Sequence, residues 1–163
     1  MSSFEQFSRK CLRHATSVGR KMVRMLSEKV AAPRREKPVL LCIDDALPVL
    51  DVLTCFLEKY GYSVLTSPDV KHGLTLFETT DVDIVILDND MPEMSGHEVA
   101  LAMKRIKPAV PIIMHSGAPE IPEKTLKVVD AIVPKGTDLQ LLISEVTGIM
   151  AAHATRPANP SNT

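Results

Sequence analysis

Two rhythms alternate along the middle of this chain: short unbroken apolar runs, and longer stretches whose apolar residues recur every three or four positions. Val39–Ile43 is a run of the first kind and ends in Asp44-Asp45. Leu50, Leu53, Phe56, Leu57 and Tyr60 follow at helical spacing, the apolar face of an amphipathic helix. Pro48 stands in a first turn that tolerates it, and Gly61 stops the helix. Ser63–Thr66 is a short second strand. Asp69–Thr80 is a second helix with Leu74 and Phe77 inward. Asp83–Leu87 is a third strand, and Ser95 caps a third helix that reaches about Ile106. Pro111–Met114 reads as a fourth strand, Glu120–Val128 as a short fourth helix and Ala131–Val133 as a fifth strand. Thr137–Met150 is the last helix, with Leu139, Leu142, Val146 and Ile149 on one face. Continuous apolar strands alternating with helices predict an α/β fold, a parallel sheet covered on both faces. Right-handed crossovers make it doubly wound.

Outside this region the pattern changes. Phe4, Phe7, Cys11, Ala15, Val18, Met22, Leu26 and Val30 lie on one face of a basic amphipathic helix, weakened by Gly19. Residues 31–38, with two prolines, read as a linker. The division expected is therefore an extension and linker over 1–37, a domain over 38–150 and a disordered tail over 151–163 rich in Pro, Asn, Ser and Thr.

Charge sharpens that division. Residues 1–37 carry ten Lys/Arg and three Glu, and residues 38–163 carry nine basic and seventeen acidic residues. The net charge of −1 thus conceals a basic arm of +7 on an acidic domain of −8. The arm admits three readings: a solvated extension, a helix lying on an anionic membrane surface or a partner helix, or a nucleic-acid arm. The last is the weakest, since only Phe4 and Phe7 could stack on bases and no nucleic-acid motif accompanies them. No apolar run approaches the ~20 residues of a membrane-spanning helix, and no signal-peptide pattern opens the chain. Cys11, Cys42 and Cys55 show no paired spacing. Cys42 and Cys55 read as buried free thiols, which points to the cytoplasm, with peripheral membrane attachment through the arm as the variant.

The chemistry concentrates at strand ends. In an open parallel sheet the carboxyl ends of the strands are where ligands sit. Here they carry Asp44 and Asp45, Asp88, Ser116 and Lys135. With strand order 2-1-3-4-5 these ends converge on one shallow site. Clustered carboxylates repel one another and call for a cation, and oxygen-only ligands favour Mg²⁺. A lysine and a hydroxyl nearby could hold phosphoryl oxygens, and a carboxylate can be a phosphoryl acceptor. Taken singly, Asp44-Asp45 reads as a helix cap and Lys135 as a surface lysine; the combination carries the signal. His115 adjoins the site and reads as a satisfied strand-end residue. The five histidines form no metal spacing.

These residues resemble a known family. Asp44-Asp45 after strand one, Leu87-Asp88-x-x-Met91-Pro92-x-Met94-Ser95-Gly96, Ser116-Gly117 after strand four and Lys135 after strand five are similar to the receiver domain of response regulators in two-component systems, over roughly residues 38–150. The resemblance implies a flavodoxin/CheY-like three-layer sandwich. It implies a stand-alone phosphorelay component that is not an enzyme, with a sensor histidine kinase or phosphotransfer protein as donor and an output protein as partner. Asp88 would be the phosphoacceptor. Asp45, Asp88 and the backbone carbonyl of Asp90 would hold Mg²⁺ directly, with Asp44 acting through water. Ser116 and Lys135 would bind phosphoryl oxygens and report them. Three departures accompany the match. Ile132 holds the switch position where an aromatic is usual, Gly136 follows the lysine in place of proline, and the Ser116–Lys135 stretch is short.

Two other readings stay open on the sequence. Asp88-x-Asp90 also resembles the nucleophile motif of haloacid-dehalogenase-type phosphatases. In those the acidic pair follows the motif, and a Thr stands where Pro92 is. The second is a scaffold receiver that binds its partner without phosphate control.

Overall fold

The computed structural model describes residues 37–118 and 120–154. The amphipathic segment 4–30, most of the linker and the end of the tail lie outside the described residues, so the readings of the arm stand as sequence expectations.

The described elements follow in order: β1 (Val39–Ile43), α1 (Leu47–Lys59), β2 (Ser63–Ser67), α2 (Val70–Thr79), β3 (Ile84–Leu87), α3 (Gly96–Ile106), β4 (Ile112–Ser116), α4 (Glu123–Leu126), β5 (Ala131–Pro134) and α5 (Leu139–Ala154). The strands form one parallel sheet in the order β2-β1-β3-β4-β5. Because β1, β3 and β4 are covered on both faces, nearly every residue in them is buried, which is why they read as unbroken apolar runs.

Side chains alternate between the two faces and build two aliphatic cores. Leu41, Ile43, Val85, Leu87, Ile112 and Met114 pack with Phe77 of α2 and Val99, Ala100 and Met103 of α3. Leu40, Cys42, Ile84, Ile86, Ile113 and Val133 pack on the other side with Leu50, Leu53 and Leu57 of α1 and Leu142 and Val146 of α5. Local chemistry starts α2 and α3 close to where the sequence predicts. Asp69 accepts from the N–H of His72 at the head of α2, and Ser95 and Glu98 form a reciprocal capping box at the head of α3.

Several sequence expectations need correction. Cys55 is exposed, not buried. It lies two residues from both Leu53 and Leu57, which places it on the solvent side of a 3.6-residue period. Tyr60 leaves the apolar face and is 47% exposed. Its hydroxyl meets the side-chain amide of Gln140, and its ring leans on Phe56. The fourth helix shrinks to the single turn Glu123–Leu126 behind Pro122, whose ring disfavours the helical conformation at the residue before it and so keeps Ile121 out of the helix. The fourth strand runs two residues further than its apolar run, because His115 and Ser116 pair with Val133 and Pro134 of β5. Among the described residues, no helix is long and apolar enough to cross a membrane.

Candidate functional site

Backbone hydrogen bonds carry the sheet ladder just past its strands and fix the residues that stand there. The N–H of Asp44 donates to the Ser67 carbonyl at 3.2 Å, that of Asp88 to Ile43 at 2.9 Å and that of Lys135 to Ser116 at 2.7 Å. Asp44, Asp88, His115 and Lys135 each follow by two a member of the α1/α5-side core: Cys42, Ile86, Ile113 and Val133. With a side-chain period of two, all four face the same side of the sheet.

The result is a compact charged cluster. Asp44 and Asp88 are 2% and 3% exposed, while Asp45 is open to solvent. Ligand oxygens of the three carboxylates lie within 4.8 Å of one another. Lys135 Nζ reaches over from β5 to 2.7 Å from Asp44 Oδ2 and 2.9 Å from Asp88 Oδ1. Burial alone would lower the basicity of Lys135, but its close contacts with the Asp44 and Asp88 carboxylates together hold it above the ordinary lysine value. Asp44 Oδ1 also accepts from the N–H of Ala46 at 3.0 Å. Asp88 Oδ1 differs: the ammonium is close, yet no well-directed hydrogen bond reaches this buried oxygen.

One ammonium against three clustered carboxylates leaves an excess of negative charge in a mostly buried place. Together with the poorly satisfied Asp88 Oδ1, this oxygen-only donor set fits a hard divalent cation such as Mg²⁺. Asp90, two residues on, is exposed, and its carboxylate accepts from the side-chain amide of Asn89 at 2.9 Å.

Ser116 closes β4 at 1% exposure. Its Oγ accepts from the N–H of Ala118 at 3.0 Å, so the hydroxyl is engaged in its own loop. Strand alternation sets it on the α2/α3 side, the side on which its diagonal neighbour Ile132 packs. His115 is 6% exposed as expected of a strand-end residue, but it is not satisfied: its Nδ1 is buried without a partner. Burial first, then the Lys135 charge, lower its basicity against the pull of Asp44 and Asp88. No sequence signal short of the full sheet register reveals that this ring belongs to the row holding the charged groups.

The loop after Asp88 is held by close approach. The N–H of Gly96 donates to the Asn89 carbonyl at 2.8 Å, and a side chain at Gly96 would collide with the Asp88 carbonyl and with Asn89 Cα. Gly136, directly after Lys135, has φ of +82°, a conformation that favours glycine. All X-Pro bonds among the described residues are trans. A cavity of about 110 Å³ adjoins Asp45 on the β2 side, lined also by Val70, Met91 and Glu93.

Comparison with known proteins bears on the family and the fold. The family described as "Response regulator receiver domain" matches residues 40–147. Response regulator SaeR of Staphylococcus aureus is 36% identical over 74 residues, 45% of this chain and 32% of SaeR, so the match spans about a third of that relative's length. Among solved structures, response regulator TrrA of Thermotoga maritima in complex with Mg²⁺-BeF is 26% identical, with a TM-score of 0.66 over 69% of this chain and 98% of that one. TrrA in complex with histidine kinase ThkA superposes with a TM-score of 0.65, at the same identity and coverage. A CheY-like receiver domain protein from Methanospirillum hungatei shares the fold at 22% identity, with a TM-score of 0.68 over 72% and 97% of the two chains.

Proposed function

The chain belongs to the family of response regulator receiver domains, and from that premise we propose that Asp88 accepts a phosphoryl group from a phosphohistidine of a sensor histidine kinase or phosphotransfer protein. A receiver domain is a signalling domain of two-component systems, so the output is a changed surface read by another protein.

One observation carries the reading: a buried carboxylate at the end of β3 has a lysine ammonium at 2.9 Å and two further carboxylates around it. An oxygen of Asp88 attacks phosphorus as the P–N bond of the donor breaks. The electron pair returns to the imidazole nitrogen of the donor, which is left to take a proton. Such transfer needs positioning and charge neutralisation more than covalent help. Lys135, already held between Asp44 and Asp88, turns its ammonium to a phosphoryl oxygen. Ser116 trades its Ala118 partner for another oxygen, and Ile132, on the same side of the sheet, takes up the space it leaves. Asp45, Asp88 and the Asp90 carbonyl would hold Mg²⁺, with Asp44 acting through water. Such an ion would supply neutralisation of the charge on the phosphoryl oxygens. TrrA, whose structure is a complex with Mg²⁺-BeF, supports this assignment of the metal. TrrA with ThkA supports a histidine kinase as partner.

Intact-mass measurement after incubation with Mg²⁺ and acetyl phosphate tests the proposal. Wild type gains one phosphate and Asp88→Ala gains none; equal labelling of both would refute it. Turnover of a phosphomonoester that Asp90→Asn abolishes would instead favour the phosphatase reading. Partner binding that is unchanged in Asp88→Asn and unaffected by phosphodonor would favour the scaffold.

A further inference from the structure

Lys135 begins on β5, yet its ammonium sits on groups from β3 and β1. To get there the side chain must cross the end of β4, the strand between β5 and β3. Neighbouring strands are about 4.8 Å apart, so the lysine spans roughly two spacings to Asp88. On the face it crosses, the side chain that β4 presents is His115: Ile113 lies on that face, and His115 follows it by two within the strand.

The polar inventory of the site is uneven. An ammonium has three N–H donors; Lys135 Nζ lies 2.7 Å from Asp44 Oδ2 and 2.9 Å from Asp88 Oδ1, and with no well-directed bond reaching Asp88 Oδ1 it keeps a donor free for a further acceptor. A neutral imidazole has one N–H and one acceptor nitrogen. His115 Nδ1 is buried without a partner, in a residue 6% exposed, and Lys135 is the charge that acts on this ring most strongly. A buried polar atom left alone is costly, and an apolar residue would fill a strand position there without that cost.

We propose that His115 is a positioning residue for Lys135: the lysine stem crosses the end of β4 beside Gly117, and the Nδ1 of His115, two residues back on the same face, accepts an Nζ–H as the ammonium passes from Asp88 to an incoming phosphoryl oxygen. The lysine then pivots about a fixed acceptor, and its charge stays aimed at the reacting group. This role rests on Asp88 being the phosphoacceptor, as proposed above.

The test compares His115→Leu, which keeps bulk and burial, with His115→Asn, which keeps an acceptor, in the full chain. The rate of labelling by acetyl phosphate at saturating Mg²⁺ should fall about 3- to 10-fold in His115→Leu, the worth of one hydrogen bond at the reacting group. It should stay within about twofold of wild type in His115→Asn. In a Lys135→Met background, His115→Leu should have no further effect. Equal rates for wild type and His115→Leu, or the same fractional loss with and without Lys135, would overturn the proposal. A wild type that takes no label fails the phosphoacceptor reading instead, and a second measurement then decides on His115. The imidazole ¹⁵N spectrum of the unmodified protein should show Nδ1 as the unprotonated nitrogen, and its resonance should move on Lys135→Met. A protonated Nδ1, or a resonance indifferent to Lys135, overturns the pairing whatever the labelling shows.

Discussion

Replacing Lys135 by methionine keeps most of the side-chain stem and removes its charge. In the folded chain the ammonium lies 2.7 Å from Asp44 and 2.9 Å from Asp88, whose side chains are 2% and 3% exposed. At an effective dielectric constant of about 20, each contact is a gross attraction of about 6 kcal/mol. Much of that is offset by the cost of drawing the charges out of water. Removing one partner of a buried pair costs in practice about 3–5 kcal/mol, because the other charge stays behind uncompensated. Two carboxylates are stranded here, which argues for the upper part of that range. Lys135 is itself 25% exposed, so water reaches it, and this argues for the lower part. A loss of about 3 kcal/mol is therefore expected at pH 7 in the presence of EDTA. In urea it would appear as a midpoint lower by about 1–2 M, with the slope unchanged. Added Mg²⁺ should restore more stability in the variant than it adds to wild type, because no ammonium competes for the oxygens. Saturation a hundredfold above Kd is worth about 2.7 kcal/mol. If the metal-free midpoints coincide, Lys135 is a solvated surface lysine and the electrostatic account of the site fails.

Alkaline pH offers a related test. Folding raises the basicity of Lys135, so its contribution is whole below the ordinary lysine value of 10.5 and is lost as pH climbs through the higher folded-state value. Wild type should therefore lose stability above that pH more steeply than Lys135→Met in urea titrations. Gly96→Ala puts a methyl group against the backbone of Asp88 and Asn89, which cannot yield without moving the acceptor, and should cost about 1–3 kcal/mol by the same assay. Gly148→Ala in α5, where nothing lies within 4 Å, should instead stabilise by about 0.5–1 kcal/mol. Burial, with a smaller push from Asp44, drives the Cys42 thiol up to about 12. A maleimide at pH 7 followed by peptide mapping should therefore label exposed Cys55 and leave Cys42 intact.

The central strands of this domain are legible because burial on both faces writes them as apolar runs, whereas the alternation with helices gives a parallel sheet and leaves its strand order to the resemblance. The candidate site is legible because its members stand at strand ends. What escapes the sequence depends on neighbours far along the chain. Pairing with β5 carries β4 through His115 and Ser116, residues whose polarity ends the apolar run at Met114. The single turn of α4 follows from Pro122 at its head and from the β-branched Val128 and Val129 beyond it, which a count of apolar positions does not weigh. Cys55 is misread because its type, not its angular position, suggests burial. The unsatisfied Nδ1 of His115 is invisible until the groups around it have places.

Asp44, Asp88, His115 and Lys135 stand two positions past Cys42, Ile86, Ile113 and Val133, four members of one core. The chemistry is thus indexed by parity: four strands must agree on odd or even for their groups to meet. Deleting a single residue within any of these strands would send its contribution through to the opposite layer and leave the other three facing a gap. Lengthening a turn at the far end of the sheet changes no parity. Length variation should accordingly be forbidden inside the strands and free in those turns, a division that a library of single-residue insertions and deletions would draw residue by residue.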